Sequence, residues 1–237
     1  MTGTAGFDAL DSGIQHHIVN SLRWPGLRPL QNHAVAPILA GEDAILLAPT
    51  AGGKTEAAVF PILTKMQRER WSGTSVLYLC PLKALLNNLQ PRVAEYAAWV
   101  GRDAATWHGD VTAGQRKRIK SERPDVLLTT PESLESMLVS ESVDPAVVLG
   151  ELRAVVIDEV HAFAGDDRGW HLLAVLARLE SLVGRRLQRI GMSATVGNPD
   201  DLLTWLQGGA RTAGRVINPP ARQADPPELT VDSVGNI

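Results

Sequence analysis

Short apolar runs alternate along the chain with longer segments whose apolar residues recur at helical spacing. The runs Ala44 to Leu47, Ser75 to Cys80, Val126 to Leu128, Ala154 to Ile157 and Arg189 to Met192 are strand-like and do not alternate apolar with polar. That is the pattern of strands covered on both faces. Between them, Glu56 to Gln67, Lys83 to Trp99 and His171 to Val183 have the length and spacing of crossover helices. The pattern predicts an α/β fold, a mainly parallel sheet with helices on both faces. Ahead of the first strand, Phe7 to Leu22 and Pro29 to Leu39 read as helices on either side of a Trp24-Pro25-Gly26 turn. Beyond Trp205-Leu206, Gly208-Gly209, Pro219-Pro220 and Pro226-Pro227 interrupt the chain. The expected organisation is a helical extension over 1–27, an α/β domain over 28–216, and a Pro-rich linker or fragment end over 217–237.

Composition narrows the classes without changing this picture. Hydrophobic residues make up 44% and charged residues 21% of 237 positions, ordinary globular usage that excludes disordered, collagen-like and coiled-coil chains. The single cysteine, Cys80, allows neither an internal disulfide nor a Cys-rich zinc site. No stretch approaches the ~18 apolar residues of a membrane span, and the N-terminus lacks a signal-peptide pattern. A cytoplasmic protein without membrane contact is expected. Lys+Arg 23 against Asp+Glu 26 leaves a net charge of −3, so any nucleic-acid contact must be local rather than a general basic footprint.

The chemistry starts at Ala48-Pro49-Thr50-Ala51-Gly52-Gly53-Lys54-Thr55, which follows a predicted strand and opens a predicted helix. A loop in that position wraps a polyphosphate with backbone N–H groups, which needs small residues where the backbone approaches the anion; Ala51, Gly52 and Gly53 supply them. Lys54 would pair with the β- and γ-phosphates of ATP, and the Thr55 hydroxyl would hold Mg²⁺. The general pattern begins with Gly, where this chain has Ala48. A second signal lies at Asp158-Glu159-Val160-His161, where a buried strand emerges. Ligands of open α/β sheets bind beyond the carboxyl ends of strands, so Asp158 can reach the metal shared with Thr55 while Glu159 polarises the attacking water. Adjacent residues on an extended chain point to opposite sides, so both carboxylates can face the metal only if the strand ends there.

These strings resemble superfamily 2 helicases of the DEAD/H-box type, and among them the Lhr (large helicase-related) group, over most of Arg28 to Leu206. Asp158 to His161 is similar to that family's motif II, with His161 counted in its catalytic set. Ser193-Ala194-Thr195 is similar to motif III, which links nucleotide state to nucleic-acid grip. Pro81-Leu82-Lys83-Ala84-Leu85 resembles motif Ia, and Thr129-Thr130-Pro131-Glu132-Ser133 resembles motif Ib. Arg168-Gly169 also matches the Lhr pattern. The resemblance implies a RecA-like ATP-binding domain. It further implies that Arg28-Pro29-Leu30-Gln31 reads adenine through the Gln31 amide, and that Thr50 to Thr55 bind the phosphates. Trp24 either stacks on the base or covers the core. Ala51 stands where the family commonly has Gly, and Pro61 falls inside the helix after the loop, where it should kink the helix or remove one hydrogen bond.

For nucleic acid, the resemblance implies phosphate contacts along one strand from Pro81, Lys83, Gly109, Thr130 and Pro131, contacts that read no sequence. Lys83 is equally readable as a solvated helix-start lysine, and Arg116-Lys117-Arg118 with Lys120 as an exposed helix face. Such motors place ATP between two RecA-like domains, the second supplying arginines. Nothing beyond Thr195 resembles that second domain; Arg211, Arg215 and Arg222 sit in Gly/Pro-rich sequence. The expectation is half of an ATP-dependent translocase on single-stranded DNA with a repair role, slow in turnover by itself. An RNA helicase and a nucleotide-gated scaffold remain the alternatives, and a small-molecule kinase or GTPase is disfavoured by the Thr130-Pro131 and Ser193-Ala194-Thr195 strings.

Overall fold

A computed structural model describes residues 4–194, 196–210 and 212–220. Thr195, Arg211, Arg222 and most of the expected linker lie outside the described residues.

The described residues form a sheet of β1 (Asp43–Leu47), β2 (Val76–Leu79), β3 (Ala104–Trp107), β4 (Val126–Thr129), β5 (Ala154–Ile157), β6 (Gln188–Ser193) and β7 (Gly214–Ile217). Their order is β3-β4-β2-β5-β6-β1-β7, with every neighbouring pair parallel. Successive side chains on a strand point to opposite faces, and here both faces are apolar. Ala44, Leu46, Val76, Tyr78 and Val156 enter one core with α3 (Pro29–Leu39), α4 (Lys54–Arg68) and α5 (Lys83–Ala98). Ile45, Leu47, Leu77, Leu79 and Val155 enter the other with α7 (Pro131–Leu138), α8 (Pro145–Leu149), α9 (Asp167–Val183) and α10 (Pro199–Leu206). The three remaining α-helices of the described residues are α6 (Ala113–Glu122), between β3 and β4 in sequence, and an N-terminal pair.

That pair corrects the expectation of one helix over Phe7 to Leu22. The chain forms α1 (Ala5–Asp8) and α2 (Ser12–Asn20), because the Asp11 carboxylate accepts from Gly13 N–H and starts a new helix. Leu10, Ile14 and Ile18 join the core of α3 and α4, and Asp11 N–H donates to Thr64 Oγ1 at 3.0 Å. Pro61 removes one helical donor, yet α4 runs on through it from Lys54 to Arg68. Among the described residues no helix is long and apolar enough to cross a membrane.

Candidate functional site

The phosphate loop links the end of β1 to the start of α4, so its backbone sits at the carboxyl rim of the sheet. Its small residues are required by space. A Cβ on Gly52 would lie 2.6 Å from the Ala48 Cβ and 2.8 Å from the Pro49 carbonyl oxygen, and one on Gly53 would lie 2.5 Å from Gln31 Nε2. Gly53 has φ +79°, where glycine alone is unstrained, while Ala51 holds φ 62° with a side chain. That conformation costs roughly 1 kcal/mol for an L-residue. Lys54 lies along the inside of the loop, its ammonium donating to the carbonyls of Ala48 at 2.8 Å and Pro49 at 3.3 Å.

The acidic pair reaches the same place from β5. Asp158 N–H still donates to Leu79 O at 2.8 Å, but the strand ends at Ile157 and Glu159 takes φ 46°, opening a short 3₁₀ turn over Val160–Ala162. This left-handed residue answers the question of alternating strand directions, since both carboxylates line a single hollow of about 410 Å³ with Thr50 to Thr55. Asp158 accepts from Glu159 N–H at 2.9 Å and from the Tyr78 hydroxyl at 3.3 Å. Burial and then the neighbouring Glu159 charge push the Asp158 carboxyl above its ordinary pKa, while those hydrogen bonds and Lys54 pull the other way. Burial also pushes the Tyr78 hydroxyl well up, reinforced by Asp158.

The donor set fits Mg²⁺. The Thr55 hydroxyl and the Asp158 carboxylate are hard oxygen donors, and an ionised, half-buried Asp158 gains from a cation beside it. Among the described residues no three His, Cys, Asp or Glu side chains converge on a metal position of their own.

Around the loop, Arg28 Nη1 donates to Ala51 O at 2.5 Å and its guanidinium lies 6.0 Å from the Trp24 ring. Trp24 packs on the core, 6.4 Å from Phe60, and also lines the hollow. Gln31 is 1% exposed, its amide oxygen accepts from Arg28 N–H at 2.9 Å and its Nε2 donates to Gly53 O at 3.4 Å, so it fastens α3 to the phosphate loop.

Between the two halves of the site lies β6, which pairs with both β1 and β5. Its last residue, Ser193, accepts from Ala48 N–H through its carbonyl at 3.3 Å, and its Oγ is 2.9 Å from His161 Nδ1. His161 Nδ1 is in turn 3.4 Å from Glu159 Oε2. His161 does not line the hollow; it ties the acidic turn to β6. Ala194 follows, half-buried.

On the neighbouring rim, Lys83 starts α5 and pairs with Asp110 at 3.1 Å, beside Gly109, where a Cβ would meet the lysine Nζ at 3.3 Å. Arg116, half-buried over Trp107, donates to Gly109 O at 2.6 Å, so it braces that loop, while Lys117 and Arg118 are exposed as a solvated face. Thr130 is 5% exposed, and its hydroxyl accepts from Ser133 N–H at 3.2 Å and donates to Ser133 Oγ at 3.1 Å. It caps α7, with Pro131 at the first helical position. Pro81 is buried and its carbonyl accepts from Arg168 Nη2 at 3.0 Å, the same nitrogen that reaches Glu132 Oε1 at 3.0 Å.

A profile for the DEAD/DEAH box helicase family matches residues 28–202, most of the chain and all of the site just described except Trp24. The chain belongs to the DEAD/DEAH box helicase family. It is 37% identical over 208 residues to the Lhr helicase/probable uracil glycosylase of Mycolicibacterium smegmatis, covering 81% of this chain and 14% of that protein. It is 34% identical over 194 residues to the ATP-dependent helicase Lhr-Core of Methanothermobacter thermautotrophicus, covering 75% and 22%. Among solved structures, Mycobacterium smegmatis helicase Lhr bound to ssDNA and AMP-PNP has a TM-score of 0.78 at 31% identity, over 91% of this chain and 28% of that one. DEAD-box helicase Mss116 bound to ssRNA and UDP-BeF shares the fold, with a TM-score of 0.76 at 18% identity over 88% of this chain and 43% of that one. The chain spans less than a quarter of the length of the two curated relatives.

Within this helicase domain, sequence strings brought Lys54, Thr55, Asp158 and Glu159 to one hollow. Two arginines of the site carried no motif of their own as readers of it. Arg92, in α5, lines the hollow and donates to Thr55 Oγ1 at 2.6 Å. Arg168 joins motif Ia to motif Ib, although only its place after motif II was visible. Each is a contact between segments more than thirty residues apart, and no local spacing reports it.

Proposed function

We propose that this helicase domain binds and hydrolyses ATP with Mg²⁺ and forms the nucleotide-binding half of a motor that tracks single-stranded DNA. The observation that carries the reading is the shared hollow: the P-loop lysine and the acidic pair, from strands that are not neighbours, line the same cavity. Lys54 exchanges its loop carbonyls for phosphate oxygens, and the N–H groups at the start of α4 add their attraction for anions. When bound, Mg²⁺ offsets the charge of the phosphate oxygens; Thr55 and Asp158 are the residues that would hold it. Glu159 orients and deprotonates the attacking water, and His161 positions Glu159 against Ser193.

Single-stranded DNA is favoured as the partner by the Lhr structure bound to ssDNA, with the rim of Pro81, Lys83, Gly109 and Pro131 as the contact surface. At that rim the N-terminus of α5 offers unpaired N–H groups to phosphates. Full turnover requires a second RecA-like domain, in cis or in trans, whose arginines are worth roughly 10³ to 10⁵ in rate for P-loop enzymes. Nucleotide binding followed by single-turnover hydrolysis tests the site. Lys54→Ala should abolish ATP binding, and Glu159→Gln should retain binding and stop hydrolysis once the second domain is supplied. Undiminished ATP affinity in Lys54→Ala would remove the reading. A panel of single-stranded DNA and RNA oligonucleotides with that completed motor tests the partner.

A further inference from the structure

We propose that Arg92 is a ligand of the nucleotide's terminal phosphate, supplied from within this domain. The proposal deepens the nucleotide-site reading and rests on it. Arg92 projects from α5 into the hollow, and its Nη2 donates to the Thr55 hydroxyl at 2.6 Å. A guanidinium at this place has an evident support. Glu56, the residue after Thr55, has a side chain only 7% exposed, and its Oε1 lies 3.6 Å from Arg92 Nε. The same oxygen accepts from the Tyr96 hydroxyl at 2.9 Å. Arg92 and Tyr96 stand one helical turn apart on α5, so they share a face and clamp the buried carboxylate together.

Glu56 therefore holds the inner edge of the guanidinium at Nε. Of the five N–H donors of an arginine, the one on Thr55 is the only hydrogen bond Arg92 makes among the described residues, and its side chain is 48% exposed. The free fork faces the cavity that Lys54 and Thr55 share. Arg28, by contrast, holds the Ala51 carbonyl, and Lys54 reaches the hollow from the loop side. The position decides the phosphate. Thr55 and the acidic pair mark the metal end of the hollow, where the last phosphate of a triphosphate belongs, and Arg92 sits on Thr55. A metal ion taking the Thr55 oxygen repels a guanidinium from it, and the nearest anion then able to take a planar fork is that phosphate.

The contact exists with a triphosphate and not with a diphosphate, which sets the test. Equilibrium binding of AMP-PNP and of ADP, each with Mg²⁺, is measured for the 237-residue chain, Arg92→Gln, Arg92→Lys and Lys54→Ala. Loss of a charge-assisted hydrogen bond should weaken AMP-PNP binding by about tenfold or more in Arg92→Gln, leaving ADP affinity within about twofold. Arg92→Lys should recover only part of the loss, because it keeps the charge and loses the fork. Equal weakening of both nucleotides would make Arg92 only a support for Thr55 and overturn the proposal. So would unchanged AMP-PNP affinity in both Arg92 variants while Lys54→Ala loses both nucleotides. If Lys54→Ala also changes nothing, the nucleotide-site reading itself fails.

Discussion

At the residue scale, the site is built on positions that are individually unfavourable. Ala51 and Glu159 both lie at positive φ without being glycine, one in each half of the site. Such strain is held in place by its surroundings and concentrates where a chain must present functional groups. Ala51→Gly should therefore stabilise the domain by up to about 1 kcal/mol, read as a higher denaturant midpoint. Asp158 carries a different cost. Burial lifts its pKa above the ordinary 3.8, so the ionised form is less favourable folded than unfolded. That group's contribution is most favourable below the unfolded pKa and is lost as pH rises through the raised folded value. Asp158→Asn should thus raise the thermal midpoint at neutral pH, with the gain shrinking as the solution is acidified toward pH 3.8. The same variant should lose the Mg²⁺-dependent stabilisation by nucleotide, measured in the same melting experiment.

Among the elements, what could be read in advance was decided by burial. The five central strands are apolar on both faces, and their runs mark them in the chain. The two edge strands do not have this mark: β3 is half-buried along most of its length and β7 begins with exposed Gly214 and Arg215. Contiguous strings such as Gly52-Gly53-Lys54-Thr55 and Asp158-Glu159 were legible because one short stretch carries both the geometry and the chemistry. The internal contacts of Gln31 and Thr130 were not legible, since an amide or hydroxyl used internally has the same letter as one offered to a ligand. Thr130 gives a test of this. Thr130→Val removes the cap of α7 and should cost about 1 kcal/mol of stability, measurable by urea titration, and any loss of DNA affinity should follow the fraying of α7.

For the whole molecule, the rim opposite the site is locked by one buried carboxylate. Asp43, 3% exposed at the start of β1, accepts from Arg186 Nη2 at 2.8 Å, Arg189 N–H at 2.7 Å, Gln207 Nε2 at 3.1 Å and Thr212 Oγ1 at 2.7 Å. It thereby fastens β1, β6, the end of α10 and the approach to β7 together. Removing one member of a buried ionic network leaves the others uncompensated, so Asp43→Ala should cost roughly 3 kcal/mol. Circular dichroism melts would detect it, and a change under about 0.5 kcal/mol, the range of ordinary surface substitutions, would refute it.

With that far rim fixed, relative motion of the two acidic and phosphate-facing segments is left to the opposite edge, where they have no strand pairing with each other. Ser193 acts there as a shared fulcrum: its carbonyl holds Ala48 and its hydroxyl holds His161. Widening the gap must break one grip or the other, so the amide proton of Ala48 becomes a built-in gauge of whether the jaws have parted, and its deuterium uptake records how often they do.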